Sequence, residues 1–78
     1  MMYKRIKELR VDKDLSQKDM GLALGFSQRS YAYYEAGERT VPPEVLAAIA
    51  LYHRVSTDYL LELTDNKEPY PRKKERSN

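Results

Sequence analysis

Residues 16–37, SQKDMGLALGFSQRSYAYYEAG, constrain this chain more than any other stretch, because two helix starts and two helix stops fall close together in it. Ser16 is placed to cap a helix, and Asp19 three residues on completes a capping-box-like pair. Met20 and Leu24, four apart, share one face and give that helix an apolar side. Gly25 stands where a helix commonly stops in a left-handed conformation, which glycine adopts without steric cost. Phe26 restarts the apolar pattern and Ser27 caps a second helix, Gln28 to Ala36. Tyr31 and Tyr34, with Glu35, mark its inner side and Gly37 ends it. The stretch therefore reads as two short helices across a tight glycine turn.

The flanks supply three more helices. Residues 3–13 form the first, with Ile6 and Leu9 inward, Tyr3 one turn earlier and Arg10 beside the apolar stripe. Leu15 sits on the core side of the link into the next helix. After the polar loop Glu38-Arg39-Thr40, Pro43 opens a helix to His53, with Glu44 a favourable charge in its first turn. That helix is expected to bury Leu46, Ile49, Ala50 and part of His53. Val55 returns to the core, and Ser56 caps a last helix from Thr57 to about Leu63, with Leu60 and Leu61 inward. Beyond Asp65 the sequence NKEPYPRKKERSN is polar, proline-broken and basic, and is expected to be a solvated, disordered tail. The division is thus a helical domain over 1–65 and a basic tail over 66–78. The four basic residues Arg72, Lys73, Lys74 and Arg76 are candidates for salt-sensitive phosphate contacts.

A helix, a short turn and a second helix is the layout that presents the second helix to a DNA groove. The register here is specific. Counting from Gln17, the small residue Gly21 holds the fifth place, where two such helices approach most closely, and Gly25 holds the ninth. Met20, Leu24, Phe26, Tyr31 and Tyr34 fill the apolar or aromatic places. With SxxxYxxYExGxRxxPxxxL over Ser27–Leu46, this pattern resembles the phage-repressor and Cro-like helix-turn-helix family, the xenobiotic-response-element-type regulators of bacteria, over roughly residues 4–65. The resemblance implies an all-α, five-helix, lambda-repressor-like domain with its helix-turn-helix at the second and third helices. It also implies that Arg10 pairs with Glu35, bracing the first helix against the third. Two departures stand out. Alanine is usual where Gly21 stands, and glycine costs a helix interior about 1 kcal/mol relative to alanine. Arg54 stands where glycine or asparagine commonly ends the fourth helix.

If the third helix enters a major groove, its outward, N-terminal residues face base edges. Relative to Tyr31 and Tyr34, that outward set is Gln28, Arg29, Ala32 and Tyr33. Glutamine pairs bidentately with adenine and arginine with guanine, each good pair giving about 1–3 kcal/mol of discrimination. Ala32 suits a thymine methyl, and Tyr33 a base, sugar or phosphate. Gln17, at a helix start with free backbone N–H groups, suits a phosphate oxygen, as do Ser27 and Arg39. A polar or basic residue is frequent in the family where Ala36 stands, so one backbone contact is missing from the pattern.

Charge agrees with this reading only through its distribution. Net charge is +2, low for a nucleic-acid binder. Residues 1–15 carry five basic and three acidic groups, residues 40–65 one basic and four acidic. The expected arrangement is an acidic face on the C-terminal helices and basic groups elsewhere, with one side toward phosphate. The low total favours a homodimer over a monomer, since one short helix reads few base pairs. In relatives the dimer surface often involves the C-terminal helix, here Thr57 to Leu63. The same fold also serves as the antitoxin of toxin–antitoxin pairs, so a protein-interaction module is the alternative, with the acidic 40–65 segment facing a basic partner.

Other classes find no support in the residues. Without cysteine there is neither a disulfide nor a thiolate metal site, and His53, the sole histidine, has no second ligand near it in sequence. No nucleophile–base spacing or glycine-rich phosphate loop suggests an enzyme or a cofactor. No apolar run approaches the ~20 residues that span a bilayer, and the N-terminus lacks a signal-peptide core. The expectation is a cytoplasmic protein that binds double-stranded DNA and uses no cofactor, metal or membrane.

Overall fold

The computed structural model describes residues 3–71, so the basic residues Arg72, Lys73, Lys74 and Arg76 lie outside the described residues. Among the described residues there are five helices and no strand: α1 (Lys4–Asp12), α2 (Gln17–Leu24), α3 (Gln28–Ala36), α4 (Pro43–His53) and α5 (Thr57–Leu60). The all-α, five-helix fold expected from the sequence is the one observed.

The punctuation acts as its chemistry dictates. Ser16 Oγ accepts the Asp19 N–H at 2.9 Å while Asp19 Oδ2 accepts the Ser16 N–H at 3.2 Å, a complete capping box that satisfies two otherwise open groups. Ser27 and Ser56 cap α3 and α5 through the N–H groups of Ser30 and Tyr59. Gly25 (φ 83°) and Gly37 (φ 77°) end α2 and α3 in the left-handed region. Arg54 ends α4 at φ 57° with a side chain in place, a conformation that costs an L-residue about 1 kcal/mol, as its departure from the family pattern suggests.

The turn between α2 and α3 lies directly against Gly21. A Cβ built there would lie 3.0 Å from the Ser27 carbonyl oxygen and 3.1 Å from that of Phe26. The turn closes over this glycine, with the Phe26 N–H donating to the Gly21 carbonyl at 2.6 Å. The missing methyl is therefore not a simple loss of helix propensity. Gly21→Ala sets a gain of about 1 kcal/mol in propensity against crowding of the turn, and should leave stability within about 1 kcal/mol of the parent. Gly21→Val adds branched bulk against backbone that cannot swing aside. It is expected to lose about 2–3 kcal/mol, read as a lower urea midpoint at an unchanged slope.

The core joins Ile6 and Leu9 of α1, Met20 of α2, Tyr31 of α3, Val45, Ile49 and Ala50 of α4, Leu60 of α5, and Val41 and Val55 from the connections. Three details differ from expectation: of Leu60 and Leu61, both expected inward, only Leu60 is buried and Leu61 is half-buried. Leu46 is only half-buried, and Val45 takes the inner place on the first turns of α4. α5 stops at Leu60 rather than near Leu63: Glu62 turns left-handed at φ 62°, the Leu63 N–H folds back to the Asp58 carbonyl, and Leu63 is 72% exposed. Arg5 of α1 holds this turn, its guanidinium reaching across to the carbonyls of Tyr59 and Thr64 and to the Asp65 carboxylate, with the Tyr59 ring beneath it at 4.1 Å. These carbonyls gain a charged donor that a longer helix would not give them.

Residues 66–71, expected to begin the solvated tail, are exposed but tied back to the domain. Lys67 presents its carbonyl to the Ser56 N–H at 3.1 Å, and the Tyr70 hydroxyl donates to Asp58 at 2.8 Å.

Candidate nucleic-acid interface

α3 is held from behind by a charged network. Glu35, buried on its inner face, accepts Arg10 Nε at 2.6 Å and Nη2 at 3.2 Å, a forked pair joining α3 to α1. Arg10 also donates to the Leu15 carbonyl at 2.7 Å, and Gln17 Nε2 donates to Glu35 Oε1 at 3.1 Å. One carboxylate thus ties the end of α3 to α1 and to the first residue of α2, and Arg10 carries the tie on to the α1–α2 link. Burial alone raises the pKa of Glu35, but the surrounding donors, Arg10 first, win and hold it below the usual carboxylate value. The guanidinium of Arg10 is pushed up, first by its hydrogen bond to Glu35. The Tyr31 hydroxyl is buried beside this pair without a well-formed hydrogen bond, and burial, with Glu35 adding to it, raises its pKa well above the ordinary phenol.

The opposite face of α3 is open. Gln28, Arg29 and Ala36 are exposed, and Ala32 and Tyr33 half-exposed, so the expected outward set forms one stripe along the helix. Within it Arg29 Nε donates to the Tyr33 hydroxyl at 3.0 Å, and the Arg39 guanidinium from the following loop lies 4.4 Å over the Tyr33 ring. Three residues placed separately by the sequence are therefore one cluster. The candidate phosphate residues are less free. The Ser27 hydroxyl caps α3 and also donates to Ser30 Oγ at 3.2 Å, and the Gln17 side chain is engaged with Glu35. What Gln17 keeps for an anion is its place at the N-terminus of α2, where backbone donors point outward.

Sequence reasoning missed Lys7. This exposed residue of α1 lines a shallow cavity with Gln17, Glu35 and Ala36, which sets a cation beside that alanine. Its only sequence signal is its place opposite the Ile6–Leu9 stripe, shared by any solvated lysine. The basic balance of the N-terminus also changes meaning. Lys4 faces Glu62 at 3.9 Å and Arg5 meets Asp65 at 2.7 Å, so two of these cations lie against carboxylates of the segment after α5 instead of adding to a phosphate-facing side.

Among the described residues no group of histidine, cysteine, aspartate and glutamate is arranged to hold a metal. His53 is buried on α4 away from any such group, as a core-edge side chain. Among those residues no helix is long and apolar enough to cross a membrane.

A braced helix pair that turns a polar, arginine-bearing stripe outward defines a helix-turn-helix domain. Comparison with known proteins agrees: the helix-turn-helix family matches residues 6–60, and the chain belongs to this Cro/C1-type family. It is 35% identical over 69 residues to the uncharacterized HTH-type transcriptional regulator YobD of Bacillus subtilis (strain 168), covering 88% of this chain and 62% of that protein. It is 33% identical over 70 residues to the uncharacterized HTH-type transcriptional regulator YqaE of the same organism, covering 90% of this chain and 60% of the relative. The cryptic phage CTXphi transcriptional repressor RstR of Vibrio cholerae is 28% identical over 68 residues, 87% of this chain and 59% of that protein. The chain thus spans about 60% of the length of the curated relatives it matches. No solved structure matches it.

Proposed function

We propose that this chain binds double-stranded DNA in a sequence-specific way and acts as a transcriptional repressor, by occupying an operator as a homodimer. The observation that carries this reading is the open stripe of α3, Gln28, Arg29, Ala32 and Tyr33, held outward by the buried Arg10–Glu35 pair behind it. Gln28 and Arg29 read base edges in the major groove, Ala32 meets a thymine methyl, and Tyr33 lies against the DNA beside them. Gln17, Ser27 and Arg39 contact phosphates, joined by Lys7 from α1. Names of relatives that include a phage repressor support repression over activation. The reaction is binding alone, with no catalysis and no cofactor, and it places the protein in the cytoplasm.

Selection of bound duplexes from a random pool at moderate salt tests this. Enrichment of an inverted repeat is expected, with Gln28→Ala and Arg29→Ala each relaxing preference at one position per half-site by about 1–3 kcal/mol. Affinity should also fall steeply as salt rises. No enrichment from the folded protein would overturn sequence-specific binding by the chain alone.

One observation favours a second reading, a protein-interaction module of the antitoxin kind. Leu51 and Tyr52 stay exposed on the outer side of α4, where with Ala23, Leu24 and Ala48 they line an apolar groove. Binding of a protein partner that resists high salt, with no duplex enriched, would decide for it.

A further inference from the structure

We propose that Tyr33 is a positioning residue that fixes Arg29 as a reader of guanine and sets Arg39 beside it for the backbone, rather than a side chain that reads DNA itself. This rests on the proposed DNA-binding function and deepens it. Arg29 and Tyr33 stand four apart on α3, one above the other, and Arg29 Nε donates to the Tyr33 hydroxyl at 3.0 Å. A guanidinium offers five N–H donors, and this bond consumes the one on Nε. The two terminal nitrogens remain, and their outer N–H groups form the end-on fork that meets guanine O6 and N7 together. A long exposed side chain ordinarily loses rotamer freedom when it binds, and a hydrogen bond made beforehand reduces that loss. The other face of the arrangement is Arg39, whose guanidinium covers the Tyr33 ring at 4.4 Å. Arg29 lies farther from that ring, at 5.8 Å, so the two arginines use the tyrosine differently: Arg29 its hydroxyl, Arg39 its ring. The hydroxyl oxygen accepts from Arg29 and the ring lies under Arg39, so the contacts Tyr33 makes are to the two arginines, with its O–H left over.

Tyr33→Phe separates the two uses, since it removes the hydroxyl and keeps the ring. The test measures competition binding of the enriched duplex and of duplexes with each base pair substituted in turn, for the parent, Arg29→Ala, Tyr33→Phe, Tyr33→Ala and Arg29→Ala/Tyr33→Phe. Tyr33→Phe is expected to lower guanine preference about three- to tenfold at the base pair that Arg29→Ala affects, leaving other positions and the salt dependence unchanged. The double variant should discriminate no worse than Arg29→Ala alone. Tyr33→Ala should in addition weaken binding to all duplexes about threefold, through Arg39. A Tyr33→Phe protein that keeps full guanine preference, or loses preference at a different base pair, overturns the positioning role while base reading by Arg29 stands. An Arg29→Ala protein with unaltered preference at every position overturns base reading by Arg29, and the positioning role falls with it.

Discussion

Arg10→Met is expected to cost about 3–5 kcal/mol of folding stability. The Glu35 side chain is 3% exposed and that of Arg10 12%, so the exchange leaves a carboxylate in the interior with only the Gln17 amide well placed to donate to it. The penalty comes from desolvating an uncompensated charge, not from the loss of a favourable pair. Two consequences follow from that distinction. Arg10→Met/Glu35→Leu should recover most of the loss, because an apolar pair of similar bulk has no charge to desolvate. The deficit of Arg10→Met should also shrink as pH falls through the raised pKa that burial gives Glu35 once its main donor is gone. Urea midpoints for the parent, both single variants and the double variant measure the coupling. A loss below about 1 kcal/mol in Arg10→Met would show the pair to behave as an exposed one. Since Glu35 also joins α3 to Gln17, the recovered double variant separates stability from function: it should be folded and bind enriched duplexes more weakly, because the reading helix has lost its fixed angle to α1 and α2.

What was legible in the sequence was what acts over a few residues. Serine caps at 16, 27 and 56 and glycine stops at 25 and 37 depend on neighbours within one turn, so α2 and α3 begin and end, and α5 begins, where those residues place them. The stripe of Gln28, Arg29, Ala32 and Tyr33 follows from helical periodicity once Tyr31 and Glu35 are placed inward. Hidden were the contacts that cross the chain. Arg5 clasps the turn after α5 from some 60 residues away, and nothing within Thr57–Leu63 announces it. Lys4 and Arg5 count as free cations in a composition and turn out to face acidic partners. Lys7 looks like any exposed lysine until α1 is laid beside the end of α3. The stacking of Arg39 on Tyr33 depends on the path of the Gly37–Thr40 loop, and the tether of residues 66–71 on one carbonyl at Lys67 and one tyrosine at 70.

Stability should fall by about 2 kcal/mol between pH 7 and pH 5 because of His53 alone. His53 is 6% exposed, neither ring nitrogen has a hydrogen-bond partner among the described residues, and Tyr52 meets the ring edge-on at 5.2 Å. Burial, helped by the charge of Lys13, pushes its pKa down from 6.5 to about 4. The folded protein therefore keeps a neutral imidazole over a range in which the unfolded chain takes up a proton. This contribution is complete above about pH 6.5, is lost as pH falls toward 4, and totals about 3 kcal/mol. The carboxylates with lowered pKa, Asp19 and Glu35, act in the same direction but only below their ordinary value near 4, so they leave the pH 5–7 window to the histidine. His53→Leu should flatten the profile across that window, and it removes two buried nitrogens that no donor or acceptor satisfies. Urea midpoints of the parent and His53→Leu from pH 7.5 down to 5 make the comparison. A variant that keeps the parent's slope would place the titrating group elsewhere, whereas a flat profile at equal or higher stability identifies this imidazole as the acid-sensitive point of the core.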